Sequence, residues 1–345
     1  MVVESHLIFE KKEFIGDEGR NSKTYVAYDK QLNTDFVVKE INKNSYKDEN
    51  EYFKESRMLY MCEHPNICKV QWATQNEEAV YFSMPYYKNG SLNKKVSDGN
   101  FLTNREIIKY SLDVLSGLHF MHSKKLIHFD IKPSNILITD SNKAVITDFG
   151  LSKFLDSDFF TENSIFYTKY RPPEAIEDYK NLTLQSDIYQ FGLTLYVMCN
   201  GRESLEFQIS EVANSKELYD KILKGEFPDR KMNKPHIDTN LIKIIKKCLE
   251  VNLEKRYNSV IEIMNDFSKI DTLLDWKYSE NEEEFFLKQK KDGKEITLCC
   301  VRENDNVMIK TNTYYFDSKT SRNKPVITIP TRDRRQFLGY LKTLQ

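Results

Sequence analysis

Two short polar segments near the middle of the chain decide the fold prediction. Residues 128–135 read HFDIKPSN, and residues 148–150 read DFG. Between them, apolar runs at residues 136–138 and 144–146 are typical of two short β-strands around a turn at residues 140–142. Loops that flank such strands often carry binding and catalytic side chains. The two segments are therefore the first candidates for a reaction site.

In order and in spacing, these segments resemble the catalytic loop H-R-D-x-x-x-x-N and the metal-binding D-F-G of eukaryotic-type protein kinases. The resemblance implies an α+β, two-lobed kinase fold, with a β-rich N-terminal lobe and a helical C-terminal lobe. It implies Asp130 as the catalytic base, because a carboxylate can orient an acceptor hydroxyl and take its proton. It also implies ATP and Mg²⁺ as cofactors, with Asn135 and Asp148 supplying the hard oxygen ligands that this ion prefers.

Lys132 narrows the expected acceptor. It stands two residues after Asp130 and places a cation where the transferred phosphoryl group would lie. Lysine at this position is similar to Ser/Thr kinases rather than to tyrosine kinases. The resemblance therefore implies transfer of the γ-phosphoryl group of ATP to Ser or Thr hydroxyls of protein substrates.

A second set of matches implies an ion pair in the N-terminal lobe. Residues 36–39 read FVVK and look like the strand V-A-I-K, whose lysine, here Lys39, contacts the α- and β-phosphates. Glu55 lies nine residues before the segment HPNI at residues 64–67, as does the helix glutamate that pairs with this lysine in relatives. A Lys39–Glu55 pair would hold the lysine in its active position.

Three scaffold residues follow from the same resemblance. Glu174 ends the segment YRPPE at residues 170–174, which stands in for A-P-E. Arg256 is expected to close a buried ion pair with Glu174. Asp187, in SDIYQFG at residues 186–192, is expected to anchor the catalytic loop.

The same resemblance to the kinase motifs implies which residues contact the nucleotide. Met84 falls at the gatekeeper position and Pro85 to Tyr87 at the hinge between the lobes. Pro85 keeps its carbonyl as an acceptor, and the N–H of Tyr87 can donate to the base. Leu137 is expected to form the apolar floor under the adenine.

The chain departs from the kinase pattern at two places. The Gly-rich loop has one extra residue between Gly16 and Gly19 and has Ser22 for the third glycine. Phe129 replaces the arginine that pairs in relatives with a phosphate on the activation segment, so we expect that control to be absent. We therefore expect basal activity to survive alanine substitution of the hydroxyls in residues 148–174.

Two alternatives stay open. One is a pseudokinase or nucleotide-binding scaffold that acts through its C-terminal domain, which only the altered Gly-rich loop favours. The other is a small-molecule kinase of the antibiotic-phosphotransferase type, which would not be expected to carry Glu174, Asp187 and Arg256.

Periodicity along the chain predicts two domains. The kinase domain is expected at residues 8–272, with the N-terminal lobe at about 8–85, the hinge at 85–88 and the C-terminal lobe at 89–272. A basic α+β accessory domain is expected at residues 277–345. Within the kinase domain, strands are predicted at residues 24–28, 36–41 and 79–84, and helices at 49–62, 104–123, 182–200 and 241–250.

The accessory domain is expected to be small and of ββββα type. From Phe285 onward it carries 13 Lys and Arg against 6 Asp and Glu. It faintly resembles PUR-type modules that bind single-stranded nucleic acid, with Tyr314, Tyr315 and Phe316 as candidate base-stacking residues. Substrate docking, dimerisation and contact with the kinase lobes stay open. Strands are predicted at residues 284–290, 296–302, 306–311, 313–317 and 326–329, and a helix at 332–344.

Composition excludes several other classes of protein. The chain has 345 residues, with 52 acidic and 51 basic side chains, so no chain-wide field favours nucleic acid or an anionic membrane. No apolar stretch approaches the roughly 20 residues that a membrane helix needs. The first residues show no basic region followed by an apolar run, so we expect no secretory leader. Six cysteines without paired spacing are expected to be reduced thiols. We expect a cytoplasmic or nuclear protein with no membrane partner.

Overall fold

The structure is a computed structural model that describes residues 7–19, 22–45, 53–97, 99–154, 168–177 and 182–344. Side chains are described for the same residues except 17–19, 45, 54, 55, 153, 154 and 168. Because these gaps cover the side chain of Glu55 and most of the activation segment, the predictions for those residues lie outside the described part.

The N-terminal part of the chain forms a sheet with one helix, as predicted, and this sheet is antiparallel and has five strands. The strand order is β1-β2-β3-β5-β4. The bounds are β1 Glu10–Gly19, β2 Ser22–Asp29, β3 Thr34–Asn42, α1 Lys54–Met61, β4 Trp72–Gln75 and β5 Ala79–Pro85. Strands β1 and β4 escaped the sequence analysis because they lie at the two edges of the sheet and carry mostly polar, exposed residues.

The following part is helical. Its bounds are α2 Leu92–Lys95, α3 Asn104–Ser123, α4 Glu174–Glu177, α5 Leu184–Asn200, α6 Arg202–Ser210, α7 Ser215–Leu223, α8 Thr239–Cys248 and α9 Val260–Phe267. Helix α3 spans the predicted residues and begins at a capping box, in which Thr103 and Glu106 exchange hydrogen bonds with each other's backbone. Helix α5 is buried on almost every side and forms the centre of this lobe. Helix α8 begins two residues earlier than predicted because Asp238 caps it through the N–H of Asn240.

The candidate catalytic segments lie between two small hairpins. Strands β7 Ile136–Ile138 and β8 Ala144–Ile146 pair as predicted, and β6 Leu126–Ile127 pairs with β9 Lys153–Phe154. The two pairs hold residues 128–135 and 148–150 on adjacent loops beneath the N-terminal sheet.

The C-terminal part is a six-stranded antiparallel sheet with one helix. The strands are β10 Lys277–Glu280, β11 Glu284–Lys291, β12 Lys294–Glu303, β13 Asn306–Tyr315, β14 Thr320–Asn323 and β15 Ile327–Pro330, followed by α10 Arg334–Thr343. Alternate residues of β11 to β13 are buried with α10 in one apolar cluster, so the helix covers one face of the sheet. The opposite face has no helix among the described residues.

The strand predictions for this part need correction. The predicted strands at 306–311 and 313–317 are one strand, β13. Asn312, read as a break, lies within it opposite Thr297, and its amide donates to Asn323 of β14 at 2.8 Å. This cross-strand bond offsets the poor strand propensity of asparagine. Strands β10 and β14 were not predicted, so the sheet has more strands than the expected ββββα pattern.

The C-terminal sheet packs against the helical lobe. Asn104, which is fully buried, donates to the backbone carbonyls of His236 and Leu273 at 2.9 and 2.8 Å. Trp276 is also fully buried, and the ring of Tyr278 stacks on that of His236 at 4.8 Å. Within the described ranges, no helix has both the length and the apolar character needed to cross a membrane.

Candidate active site

A cavity of about 480 Å³ lies between the N-terminal sheet and the helical lobe. Its lining contains most of the residues that the sequence analysis assigned to nucleotide and metal: Gly16, Lys39, Met84, Pro85, Tyr87, Asn135, Leu137 and Asp148. Apolar side chains form one part of the lining, and Lys39, Asn135 and Asp148 form a polar part. The structure therefore brings together side chains that are more than a hundred residues apart in the chain.

Lys39 and Asp148 contact each other on one side of this cavity. The Nζ of Lys39 lies 3.0 Å from Oδ1 of Asp148. Although burial opposes ionisation, the charge and hydrogen bond of Lys39 lower the pKa of Asp148 to about 2. Asp148 is therefore a carboxylate at neutral pH.

Asp130 lies beside the cavity in a fixed orientation. The amide Nδ2 of Asn135 donates to Oδ2 of Asp130 at 2.7 Å and to its backbone carbonyl at 3.0 Å. The Nζ of Lys132 lies 2.9 Å from the same Oδ2. All three side chains are nearly buried, so their hydrogen bonds restrict them to one geometry.

Helix α5 holds the loop that carries Asp130. Asp187, which is fully buried, accepts from the backbone N–H of His128 at 2.9 Å and from that of Phe129 at 2.8 Å. One turn further along α5, the amide of Gln190 accepts from the N–H of Ile131 at 3.0 Å and donates to the carbonyl of Phe129 at 2.8 Å. The predicted anchoring role of Asp187 thus has direct geometric support, and Gln190 is a second anchor that the sequence analysis missed.

Both loops that carry site residues have a strained backbone, one at Phe129 and the other at Asp148. Phe129 has φ of 65° and Asp148 has φ of 64°, a left-handed conformation that bulky side chains rarely adopt. Such strain persists only where surrounding contacts over-determine the backbone. The four hydrogen bonds from α5 supply those contacts for the loop around Phe129.

The side chain of Phe129 occupies an apolar cluster. It is 6% exposed and packs with Ile127, Ala175 and Leu182. Ala175 lies on α4, directly after the segment YRPPE, so this cluster joins the catalytic loop to the end of the activation segment.

The predicted scaffold pair is present. Arg256 contacts Glu174 through two parallel bonds, Nη1 to Oε1 at 2.9 Å and Nη2 to Oε2 at 3.0 Å. Both side chains are buried, and Ser186 of α5 donates to the same carboxylate at 2.8 Å. The pair therefore ties α4 to α5 and to the chain preceding α9.

Comparison with known sequences agrees with this geometry. A profile of the protein kinase domain matches residues 9–267. The chain belongs to the protein kinase family. The two-lobed fold described above is the one that the family resemblance implied.

Several relatives are similar to this kinase domain. A Clostridium acetobutylicum protein, named a probable serine/threonine-protein kinase, is 28% identical over 272 residues, which are 77% of this chain and 40% of that protein. Mouse serine/threonine-protein kinase Nek1 is 27% identical over 251 residues, 71% of this chain and 20% of Nek1. A Dictyostelium discoideum protein, also named a probable serine/threonine-protein kinase, is 33% identical over 235 residues, which are 66% of this chain and 14% of that protein. The chain thus spans less than half the length of these relatives.

The altered Gly-rich loop of this kinase domain is a β-bulge. Gly16 pairs with Thr24, and Gly19 pairs with Ser22. The chain therefore advances three residues on β1 but only two on β2 between these pairs, which is the mark of a bulge. The extra residue inferred from the sequence is therefore accommodated as a bulge. Gly16 lines the cavity, whereas Gly19 is not among the described lining residues, and its assignment to the nucleotide stays a prediction.

The sequence analysis did not assign Thr147 or Lys94 to this lining. Thr147 lines the cavity and its hydroxyl lies 3.8 Å from the sulfur of Met84. Lys88 and Lys94 lie at the end of the cavity next to the hinge. The position of Thr147 directly before DFG was the one signal available in the sequence.

The donor set fits a magnesium–nucleotide complex. The Nδ2 of Asn135 is engaged by Asp130. Its Oδ1 accepts from the hydroxyl of Ser134 at 3.4 Å and keeps a second lone pair with which to act as a ligand. Asp148 is ionised, and its contacts to Lys39 and to the N–H of Gly150 both use Oδ1. A neutral amide oxygen and a carboxylate are hard donors of the kind that Mg²⁺ takes.

Helix α3 also contacts the residue that anchors the catalytic loop. His122, which stands three residues from His119 on α3, has its Nε2 2.9 Å from Oδ2 of Asp187. Among the described residues, no three His, Cys, Asp or Glu side chains cluster as a metal site. His122 thus supports the loop anchor through its contact with Asp187.

Proposed function

We propose that this chain transfers the γ-phosphoryl group of ATP to Ser or Thr hydroxyls of protein substrates. The observation that carries the proposal is the convergence of Lys39 and Asp148 on one side of a nucleotide-sized cavity, with Asp130 held beside it. The names of the relatives support the Ser/Thr assignment, as does the position of Lys132.

Asp130 is proposed as the general base. Its carboxylate accepts the proton of the acceptor hydroxyl while that oxygen forms a bond to the γ-phosphorus of ATP. The bond between the γ-phosphorus and the β–γ bridging oxygen breaks, and ADP leaves with the electron pair. Lys132, which lies 2.9 Å from Asp130, stabilises the negative charge on the transferred group.

Lys39 is proposed to orient the α- and β-phosphates, and Glu55 to orient Lys39. Asn135 and Asp148 would hold Mg²⁺, which neutralises charge on the phosphates when bound. The apolar side chains of Met84 and Leu137 would enclose the adenine, and the backbone of Pro85 and Tyr87 would provide its hydrogen bonds.

The test is turnover of radiolabelled ATP on a generic protein substrate, followed by phosphoamino-acid analysis. We expect phosphoserine or phosphothreonine from the wild-type chain. In Asp130→Asn we expect a loss of about 10²–10⁴-fold with nucleotide binding retained, since only the base is removed. Asp305→Asn, on an exposed turn of the C-terminal sheet, is the matched control and should keep full activity. Nucleotide binding without any turnover in the wild-type chain would instead support the pseudokinase alternative.

A second proposal concerns the helix-free face of the C-terminal sheet, defined by the residues that alternate with the buried ones on β11, β12 and β13. We propose that this helix-free face binds single-stranded nucleic acid. Because side chains alternate along a strand, it presents Phe286, Lys288 and Lys290 of β11 and Lys310 and Tyr314 of β13. The ring of Tyr314 packs edge-on against Phe316 at 5.5 Å, and Lys290 lies 5.7 Å from the Phe316 ring.

These contacts combine aromatic rings with cations, as base-stacking surfaces do. Glu295 reduces the positive electrostatic potential of this face, because its carboxylate pairs with Lys288 at 2.8 Å and with Lys290 at 3.6 Å. We expect micromolar or weaker binding of an oligothymidine strand, measured by fluorescence anisotropy, that falls steeply with salt. Tyr314→Ala should weaken it by roughly 5- to 100-fold, whereas Tyr60→Ala, on an exposed part of α1, should not. Affinity that does not change with salt would contradict the proposal.

A further inference from the structure

A second cavity, of about 310 Å³, lies where the C-terminal sheet meets the helical lobe. The helical lobe contributes the end of α5 and the loop at residues 232–235. The sheet contributes residues of β10 to β13 and β15, together with the beginning of α10. This cavity is separate from the one that holds Lys39 and Asp148, because the two share no lining residue.

The charges that line this second cavity do not balance. Among its described lining residues there are three cations, Lys234, Arg302 and Arg334, and one carboxylate, Glu280. Lys234 contacts Oε1 of Glu280, and Arg302 contacts Oε2 at 3.1 Å. The hydroxyl of Tyr278 donates to the same Oε2 at 2.5 Å. Both oxygens of the only carboxylate are therefore occupied, and two positive charges remain in excess.

Arg334 has no carboxylate partner among the described residues. Its guanidinium donates to the backbone carbonyls of Asn233, Lys234 and Ile237, and its Nε has no hydrogen-bond partner. Burial lowers the pKa of Arg334 to about 10. Asp238, an acid whose charge acts on Arg334, is engaged by the N–H of Asn240 at the N-terminus of α8. A half-buried cation without a counter-charge is costly, so an anion beside it would be stabilised.

The rest of the lining is apolar. The rings of Phe285 and Phe337 pack edge to face at 5.9 Å, and Val307 and Ile329 lie next to them. The guanidinium carbon of Arg302 lies 5.2 Å from the Phe285 ring, which places a cation at the border of this apolar surface. The cavity thus matches a ligand with an anionic head and an apolar body.

We propose that this cavity binds a phosphomonoester that carries an aromatic or aliphatic body. A phosphomonoester is close to a dianion at pH 7, which equals the excess positive charge of the lining. Arginine donors match the tetrahedral oxyanion, and the apolar body would lie against Phe285 and Phe337. The same chemistry can come from a free small molecule or from a phosphorylated side chain of a peptide. The proposal does not depend on the kinase activity of the first cavity.

The test is calorimetric titration of the full chain with phenyl phosphate, with phenol and inorganic phosphate as partial probes. We expect saturable binding of phenyl phosphate that is at least tenfold tighter than binding of either partial probe. Arg302→Gln should weaken it at least fivefold by halving the excess charge. Thr331→Trp, which fills the cavity from its exposed rim, should abolish it. These two variants change exposed residues, so they avoid the structural bonds of Arg334.

A control must separate the two cavities, because the first cavity is proposed to bind the phosphates of ATP. Lys39→Met should leave phenyl phosphate binding unchanged if the second cavity is the site. Binding that is lost in Lys39→Met but kept in Thr331→Trp would overturn the proposal, as would no saturable binding to the wild-type chain. A phosphotyrosine peptide and its unphosphorylated form distinguish the two sources. Tenfold tighter binding of the phosphopeptide than of phenyl phosphate assigns a peptide ligand, and weaker binding assigns a small molecule.

Discussion

Single residues in this kinase domain show how a local departure from the family pattern is accommodated. Phe129, at the position where the kinase resemblance leads one to expect arginine, packs its side chain with Ile127, Ala175 and Leu182. Its left-handed backbone is held by hydrogen bonds to Asp187 and Gln190. The residue therefore links the catalytic loop to α4 through apolar contact.

Phe129→Arg should destabilise the fold by about 2–4 kcal/mol, because it places a cation in an apolar cluster without a partner. Phe129→Leu keeps the cluster apolar and should cost less than about 1.5 kcal/mol. Urea unfolding followed by circular dichroism measures both. An arginine variant as stable as the leucine variant would show that the cluster readily admits water or a counter-ion.

His236 predicts a pH dependence of stability. Burial lowers its pKa from 6.5 to about 4, although the hydrogen bond between Nε2 and the carbonyl of Leu102 opposes this. Because the folded pKa lies below the unfolded one, the unfolded chain binds the proton first as pH falls. The neutral His236 therefore contributes fully to the free energy of unfolding above about pH 6.5, and this contribution is lost as the pH falls toward 4. Between pH 7 and pH 5 the loss should be about 2 kcal/mol.

The measurement is the free energy of unfolding at pH 7 and pH 5 for wild type and His236→Phe, which keeps a ring against Tyr278. The variant should lose about 2 kcal/mol less over this interval than the wild-type chain. Equal losses in the two proteins would mean that His236 does not stay neutral in the folded state.

At the scale of elements, α5 is the support of the site. Its residues Asp187 and Gln190 bind the catalytic loop, and Ser186 binds Glu174, which in turn pairs with Arg256. Charged and polar groups inside a helix this buried require such partners. One helix thus positions the catalytic loop and the end of the activation segment at the same time.

Arg256→Met should cost about 3–5 kcal/mol in stability, because it leaves the buried carboxylate of Glu174 unpaired. Arg256→Met combined with Glu174→Gln should cost less than the sum of the two single changes, since no unpaired charge remains. Arg202→Met, which removes a partly exposed pair with Glu206, should cost less than about 1 kcal/mol. Additive costs in the unfolding experiment would contradict the coupling.

At the scale of the whole molecule, the C-terminal sheet and the helical lobe form a shared interface. Tyr278 of β10 stacks on His236 at 4.8 Å and packs against Phe101 at 5.0 Å. Asn104, at the start of α3, donates to the backbone carbonyls of His236 and Leu273. Arg105 and Asp275 add a two-point ion pair on the surface. Unfolding of either part should therefore affect the other.

Tyr278→Ala tests this coupling. We expect a single calorimetric transition in the wild-type chain, and in the variant a loss of about 3–5 kcal/mol from removal of the buried ring. Tyr315→Ala, at the exposed end of β13, should change stability by less than about 0.5 kcal/mol. Two separate transitions, with that of the kinase domain unchanged by Tyr278→Ala, would show that the parts unfold independently.

The sequence alone determined the two-lobed fold, through its resemblance to the kinase motifs, and the extents of α3, β7 and β8, through local periodicity. The same resemblance predicted the polar residues that line the cleft. Tertiary structure alone decided the continuity of β13, where Asn312 is stabilised by a bond to another strand, and the left-handed backbone of Phe129. It also decided the charge excess around Arg334, because Lys234, Arg302 and Arg334 meet only when the sheet packs on the lobe. Contacts between residues far apart in the chain depend on which apolar faces meet, and no local pattern carries that information.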